Sequence, residues 1–179
     1  MMDEVSDQPD AAPDAAPATA NRVRLLAAIA VAVLVADIIT KTIAVARLEG
    51  REPVRILGGL IYLQLLRNPG AAFSMATGFT WILSVIAIAV VVVIVRVARR
   101  LRSTGWAIAL GLVLGGAVGN LVDRLFRAPG PGRGHVVDFL ELPHWPVFNL
   151  ADSAIVTAAV LMVLLSARGL SYDGTRTHG

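Results

Sequence analysis

Four long apolar runs, separated by short polar stretches, set the class of this chain. The first runs from Leu25 to about Ala46, behind Arg22 and Arg24. The second covers roughly Trp81–Val95 and extends backward toward Ala72. The third is Gly105–Val122 and the fourth Val147–Ala167. A helix needs about 20 largely apolar residues to cross a hydrocarbon core of ~30 Å, so each run predicts a transmembrane helix. The start of the first run also resembles the apolar part of a secretory signal. The acidic stretch before it, and the lack of a clean small-x-small cleavage site after it, favour a permanent span. The predicted fold is an all-α polytopic membrane protein with four transmembrane helices.

The connections carry patterns of their own. Val54–Leu57, Gly58-Gly59 and Leu60–Leu66 read as a small β hairpin with a two-glycine turn. Ala128–Arg133, Ala-Pro-Gly-Pro-Gly-Arg, is a turn-rich insert. His135–Trp145 is semi-apolar and aromatic and predicts a segment lying at the membrane interface. Residues 1–21 are rich in Asp, Ala and Pro, with five acids and no base over the first twenty, and read as a disordered tail. Residues 22–168 form the membrane domain, and 169–179 a second tail.

Charge orients the spans. Arg96, Arg99, Arg100 and Arg102 crowd the short loop between the second and third runs, which positive-inside logic places in the cytoplasm. Both termini are then cytoplasmic. The hairpin, the insert and residues 135–146 face outward. The full count is nearly even, with eight arginines inside (22, 24, 96, 99, 100, 102, 168, 176) and seven outside (47, 51, 55, 67, 124, 127, 133). The density of one loop decides the orientation.

Composition narrows the chemistry. Of 179 residues, 56% are hydrophobic and 16% charged, with a mean hydropathy of +0.70. A soluble domain of this length cannot cover so much apolar surface. There is no cysteine, which excludes disulfides, thiol nucleophiles and thiolate metal sites. His135, His144 and His178 lack metal-ligand spacing; the first two read as interfacial hydrogen-bonders. No metal or cofactor is expected. At a net charge of +3, the arginines read as topology and lipid-headgroup residues, not as a nucleic-acid footprint.

A few polar residues at membrane depth carry the candidate chemistry. A carboxylate near a helix centre costs roughly 3 kcal/mol or more. Asp138 and Asp152 sit beside the outer ends of apolar helices and suggest an acid–base pair. Gly111, Gly115 and Gly119 recur every four residues, a close-packing stripe for helices in lipid. Gly116, Asn120, Asp123 and Arg124 share a nearby face at i, i+4, i+7 and i+8. Asp123 beside Arg124 fits a catalytic acid and a charge pair anchoring the helix end equally well. Asp37 and Lys41, at i and i+4, form either a mutual ion pair or a pair that orients the site. Asn149 and Asp152 point in one direction, about one turn below the outer surface. Arg67–Phe73 is either a turn that starts a helix or a small-residue stretch open to an extended peptide. Trp81, Trp106 and Trp145 fall at span ends, as an aromatic belt does.

Five motifs in this order resemble the signal peptidase II family, bacterial membrane aspartyl peptidases that process lipoproteins. They are Asp37-Ile-Ile-Thr-Lys41, Asn68-Pro-Gly-Ala-Ala-Phe73, Gly115-Gly-Ala-Val-Gly-Asn120-Leu-Val-Asp123-Arg124, His135-Val-Val-Asp138-Phe139 and Phe148-Asn149-Leu-Ala-Asp152-Ser153. The resemblance covers about residues 22–167. It implies Asp138 and Asp152 as the catalytic pair. It implies a substrate-binding or supporting set of Asp37, Lys41, Asn68, Gly70, Gly116, Asn120, Asp123, Arg124, Val136, Asn149 and Ala151. Asp123 becomes a structural partner of the site on this ground alone. The chain departs from the pattern at Pro69, where Thr is commoner, in the insert at 128–133, and in a short stretch between Asp138 and Asp152.

The activity implied is removal of the signal peptide of a prolipoprotein, before its diacylglyceryl-modified cysteine. The implied setting is the bacterial cytoplasmic membrane, with the site at its extracytoplasmic face, phospholipid as neighbour and a monomeric enzyme without cofactor. Two adjacent carboxylates share one proton near neutrality; the charged one activates water and the protonated one donates to the carbonyl oxygen. The competing class is a four-span proton-coupled transporter or channel, with Asp37, Asp138 and Asp152 as its relay. Acids gathered at one face suit an interfacial substrate better than a path through the bilayer.

Overall fold

The computed structural model describes residues 16–70 and 80–176. The first fifteen residues of the acidic tail, the Ala71–Phe73 end of the second motif, the backward extension of the second span and His178 lie outside the described residues.

Four helices are long and apolar enough to cross a membrane. They are α1 (Ala16–Leu48), α2 (Thr80–Ala98), α3 (Thr104–Phe126) and α4 (Leu150–Ala167). α1 begins inside the stretch expected to be tail. Alanine is the strongest helix former, and Pro17 falls in the first turn, where a missing N–H costs nothing. Residues 16–21 therefore belong to the helix. The second tail is also partly folded: Leu170 and Arg176 pair as a β-bridge.

α3 is the central helix and packs on α1, α2 and α4. Its glycines explain how. A Cβ at Gly111 would stand 2.8 Å from Leu26 O, and one at Gly115 2.7 Å from Ala30 O. One at Gly119 would stand 2.5 Å from Asp37 Oδ2. The stripe thus lets α1 lie directly against the α3 backbone, as close packing in lipid requires. Gly116 does the same for α4, where a Cβ would meet Ala151 O at 2.6 Å.

A three-stranded antiparallel sheet, in the order β1-β2-β3, caps one end of the bundle. β1 (Val54–Ile56) and β2 (Ile61–Asn68) form the expected hairpin. Its turn uses Gly58 and Gly59 at φ of 68° and 99°, a region open to glycine. β3 (Val136–Glu141) corrects the expectation of an interfacial segment at 135–145. Val136, Val137, Asp138 and Phe139 are all buried, so the strand shows no apolar–polar alternation and does not read as one. Val137 and Phe139 pack with Ala44 and Leu48 at the end of α1.

The chain then doubles back. Phe148 O accepts the N–H groups of Phe139 and Leu140 at 3.0 and 2.9 Å, and Phe148 N donates to Leu140 O at 2.8 Å. This return accommodates the short stretch between Asp138 and Asp152. It also moves the start of the fourth helix from the expected Val147 to Leu150, with Asn149 as its N-cap.

Candidate active site

Sheet and bundle meet at a buried polar cluster. β3 delivers Asp138, 1% exposed, opposite Leu66 of β2. Asn68, at the end of β2, donates from Nδ2 to Asp138 Oδ2 at 2.7 Å. The Asn68 Oδ1 accepts the N–H of Gly70 at 2.8 Å, which orients the amide.

Asn149 joins the two candidate acids. Its Nδ2 donates to Asp138 Oδ1 at 2.6 Å, and its Oδ1 accepts the N–H of Asp152 at 2.9 Å. Its own N–H donates to Asp152 Oδ2 at 3.3 Å, which completes a capping box at the start of α4. Asp152 is therefore in the first turn of a helix, at its positive end. Asn120 of α3 donates from Nδ2 to Asp152 Oδ1 at 2.8 Å, and its Oδ1 accepts from Asn149 at 3.2 Å.

Beneath this layer lies a charge cluster. Lys41 Nζ stands 2.7 Å from Asp37 Oδ2 and 2.9 Å from Asp123 Oδ2, and donates to Asn120 Oδ1 at 3.0 Å. All three charged groups are buried. Asp37 Oδ1 accepts the N–H of Ala151 at 3.0 Å, and Asp123 Oδ2 that of Val137 at 3.2 Å. Each supporting carboxylate thus holds the backbone of the residue just before a candidate catalytic aspartate.

The structure brings Asp37, Lys41, Asn68, Gly70, Gly116, Asn120, Asp123, Asn149 and Ala151 to this cluster, in the roles above. Val136 is buried at the β2–β3 pairing opposite Asn68. Arg124 departs from expectation. Its Nη1 donates to Asn120 O at 3.2 Å rather than forming an ion pair with Asp123, and its guanidinium lies in the field of Asp152, Asp138 and Asp123. The ion partners of Asp123 are Lys41 and Arg127. Sequence reasoning passed over Arg127 as an outward topology residue; its i+4 spacing from Asp123 was the available signal. Among the described residues, no group of three or more His, Asp or Glu side chains is placed to hold a metal ion.

Burial pushes the Asp138 carboxyl up to about 6. Hydrogen bonds from Asn68 and Asn149 and the charge of Lys41 oppose the rise; the neighbouring charge of Asp152 adds to it. A carboxyl raised by burial and joined through one asparagine to a second carboxylate, at the edge of an apolar bundle, has the makings of a proton-transfer site.

Fold and site together define a multi-pass membrane protein with a pair of acids, one buried and one half-buried, at one end of its bundle. The signal peptidase II family profile matches residues 29–168. The lipoprotein signal peptidase of Rhodococcus jostii (strain RHA1) is 59% identical over 152 residues, 85% of this chain and 77% of that one. That of Mycobacterium avium (strain 104) is 52% identical over 167 residues, 93% and 92% of the two chains. A solved bacterial membrane enzyme superposes with a TM-score of 0.68 at 26% identity, over 77% of this chain and 89% of that one. The chain belongs to the signal peptidase II family.

Proposed function

We propose that this protein removes signal peptides from prolipoproteins, cutting before the diacylglyceryl-modified cysteine, with Asp138 and Asp152 as its aspartyl pair. The observation that carries the reading is the bridge through Asn149, which bonds to Asp138 Oδ1 and to the backbone N–H of Asp152. Family membership supports the substrate class.

The pair holds one proton between its members. The ionised carboxylate takes a proton from water, which attacks the scissile carbonyl. The protonated one donates to the carbonyl oxygen; the first then returns its proton to the leaving nitrogen as the tetrahedral intermediate collapses, the other takes back the hydroxyl proton, and acid and amine are released. Asn68, Asn120 and Asn149 fix both carboxylates without adding charge. An apolar signal helix reaches them from the bilayer, with the cleaved bond at the level of the sheet.

On this reading both termini are cytoplasmic and the sheet is extracytoplasmic, on the ground of the arginines at 96–102. The test of function is direct. Purified protein in detergent is given a diacylglyceryl-modified substrate peptide and its unlipidated twin. Cleavage before the modified cysteine, with the twin left intact, is expected. Failure to cut, or equal cutting of both, overturns the substrate assignment.

A further inference from the structure

Two cavities adjoin at the end of the bundle away from Asp138. α3 sets them apart from the acids, since its 23 residues span ~33 Å. One cavity, of about 270 Å³, opens between α1 and α2. Val23 and Ala27 of α1, Val95 of α2 and Leu114 of α3 line it, and Arg99 is its one charged wall. The other, of about 330 Å³, is lined by Arg99, Arg100, Arg102, Thr19, Asp173 and Thr175. Arg99 belongs to both.

The second cavity is built, and it is short of negative charge. Residues after α4 fold back over the α2–α3 connection. Tyr172 O accepts the N–H groups of Arg102 and Ser103 at 2.9 and 3.2 Å. Trp106 Nε1 donates to Leu170 O at 2.8 Å, and the Trp106 and Tyr172 rings meet edge to face. Arg22 Nε donates to Arg102 O at 3.2 Å and brings a fourth guanidinium. The single acid of the cavity, Asp173, accepts from the N–H and hydroxyl of Thr175 at 3.0 and 2.7 Å. Among the described residues, Arg99, Arg100 and Arg102 form no ion pair with a carboxylate.

Arg99 directly follows Ala98, the last residue of α2, so the guanidiniums stand at headgroup depth. We propose that the paired cavities bind one anionic glycerophospholipid. One acyl chain lies between α1 and α2, and the phosphodiester sits among Arg99, Arg100 and Arg102. Only a ligand with a phosphate joined to a long apolar tail satisfies both halves. A free phosphate leaves the apolar cavity unused, and a neutral lipid leaves three cations facing the one carboxylate of Asp173. The bound lipid fills the gap between α1 and α2 and ties them together. This site is independent of the proposed catalytic pair.

The experiment uses the full chain, delipidated in detergent, with native mass spectrometry and thermal melting as readouts. Phosphatidylglycerol, phosphatidylcholine with the same chains, and glycerol 3-phosphate are compared on wild type, on Arg99→Gln/Arg102→Gln, and on Ala27→Phe, which fills the apolar cavity. Phosphatidylglycerol should be retained about tenfold over phosphatidylcholine and should raise Tm. Both variants should lose that preference, each by a different half of the site. Equal retention of the two lipids, a preference that survives either variant, or equal stabilisation by glycerol 3-phosphate overturns the proposal. Should Ala27→Phe fail to fold, the arginine variant decides.

Discussion

Asp37 accepts the backbone N–H of Ala151 at 3.0 Å, and Ala151 directly precedes Asp152. Asp123 does the same for Val137, which directly precedes Asp138. Lys41 lies between the two supporting carboxylates. One buried cation therefore ties α1 and α3 to the two backbone segments that carry the proposed catalytic acids.

Lys41→Met leaves Asp37 buried without its ion partner and Asp123 with Arg127 alone. Breaking a buried ion pair by removing one partner costs ~3–5 kcal/mol. A large fall in Tm is expected, along with loss of turnover in whatever protein remains folded. Lys41→Arg should not rescue it, because the larger, planar guanidinium cannot occupy a site packed for an ammonium. A Tm near wild type for Lys41→Met contradicts the clamp.

Gly119→Ala places a methyl 2.5 Å from Asp37 Oδ2. Either α1 moves away or the carboxylate turns, and both loosen its hold on Ala151. Lower Tm and reduced cleavage are expected, measured on the same purified sample. Gly50→Ala, in the turn just after α1, is the control, since nothing stands within 4 Å of its Cβ position; its left-handed φ gives a modest stability loss without a selective loss of turnover.

The four spans were readable because membrane helices need long apolar runs, and the site motifs because buried polar residues are rare in them. β3 was not readable. Its residues are buried in succession, so His-Val-Val-Asp138-Phe shows no period of two. The meeting of Lys41 with Asn120, 79 positions away, was also invisible: spacing reveals pairs within a helix but not pairs between helices. The same blindness gave Asp123 the adjacent Arg124 as a partner. Neighbours in a helix sequence diverge by about 100° around its axis, whereas Arg127, one turn on, lies on the Asp123 side.

The pH profile should report the pair. Asp138 titrates at about 6, so its protonated form is lost as pH rises through that value. The ratio kcat/KM, which reports the free enzyme, should therefore fall on the alkaline side of about 6. The hydrogen bond from Asn68 is the largest influence holding the carboxyl down. Asn68→Ala should move this limb to higher pH, whatever it does to the rate itself. An unmoved limb means that the titrating group is not Asp138.

Orientation is checked with reporter fusions. Fusions after residues 60 and 135 should read as exported and one after residue 100 as cytoplasmic. The reverse pattern places the acids on the wrong side for a substrate presented at the outer face.

The central claim is that Asp138 and Asp152 do the chemistry together. The decisive measurement is cleavage of a diacylglyceryl-modified prolipoprotein peptide by purified Asp138→Asn and Asp152→Asn, each with its melting temperature. Asparagine is nearly isosteric with aspartate but can neither hold nor release the shared proton. Each variant should melt as a folded protein and show turnover reduced at least ~10²-fold, the lower range for a proton-transfer group. Asp123→Asn, by contrast, should lower Tm and leave measurable turnover. A folded Asp138→Asn or Asp152→Asn that cuts at the wild-type rate contradicts the account.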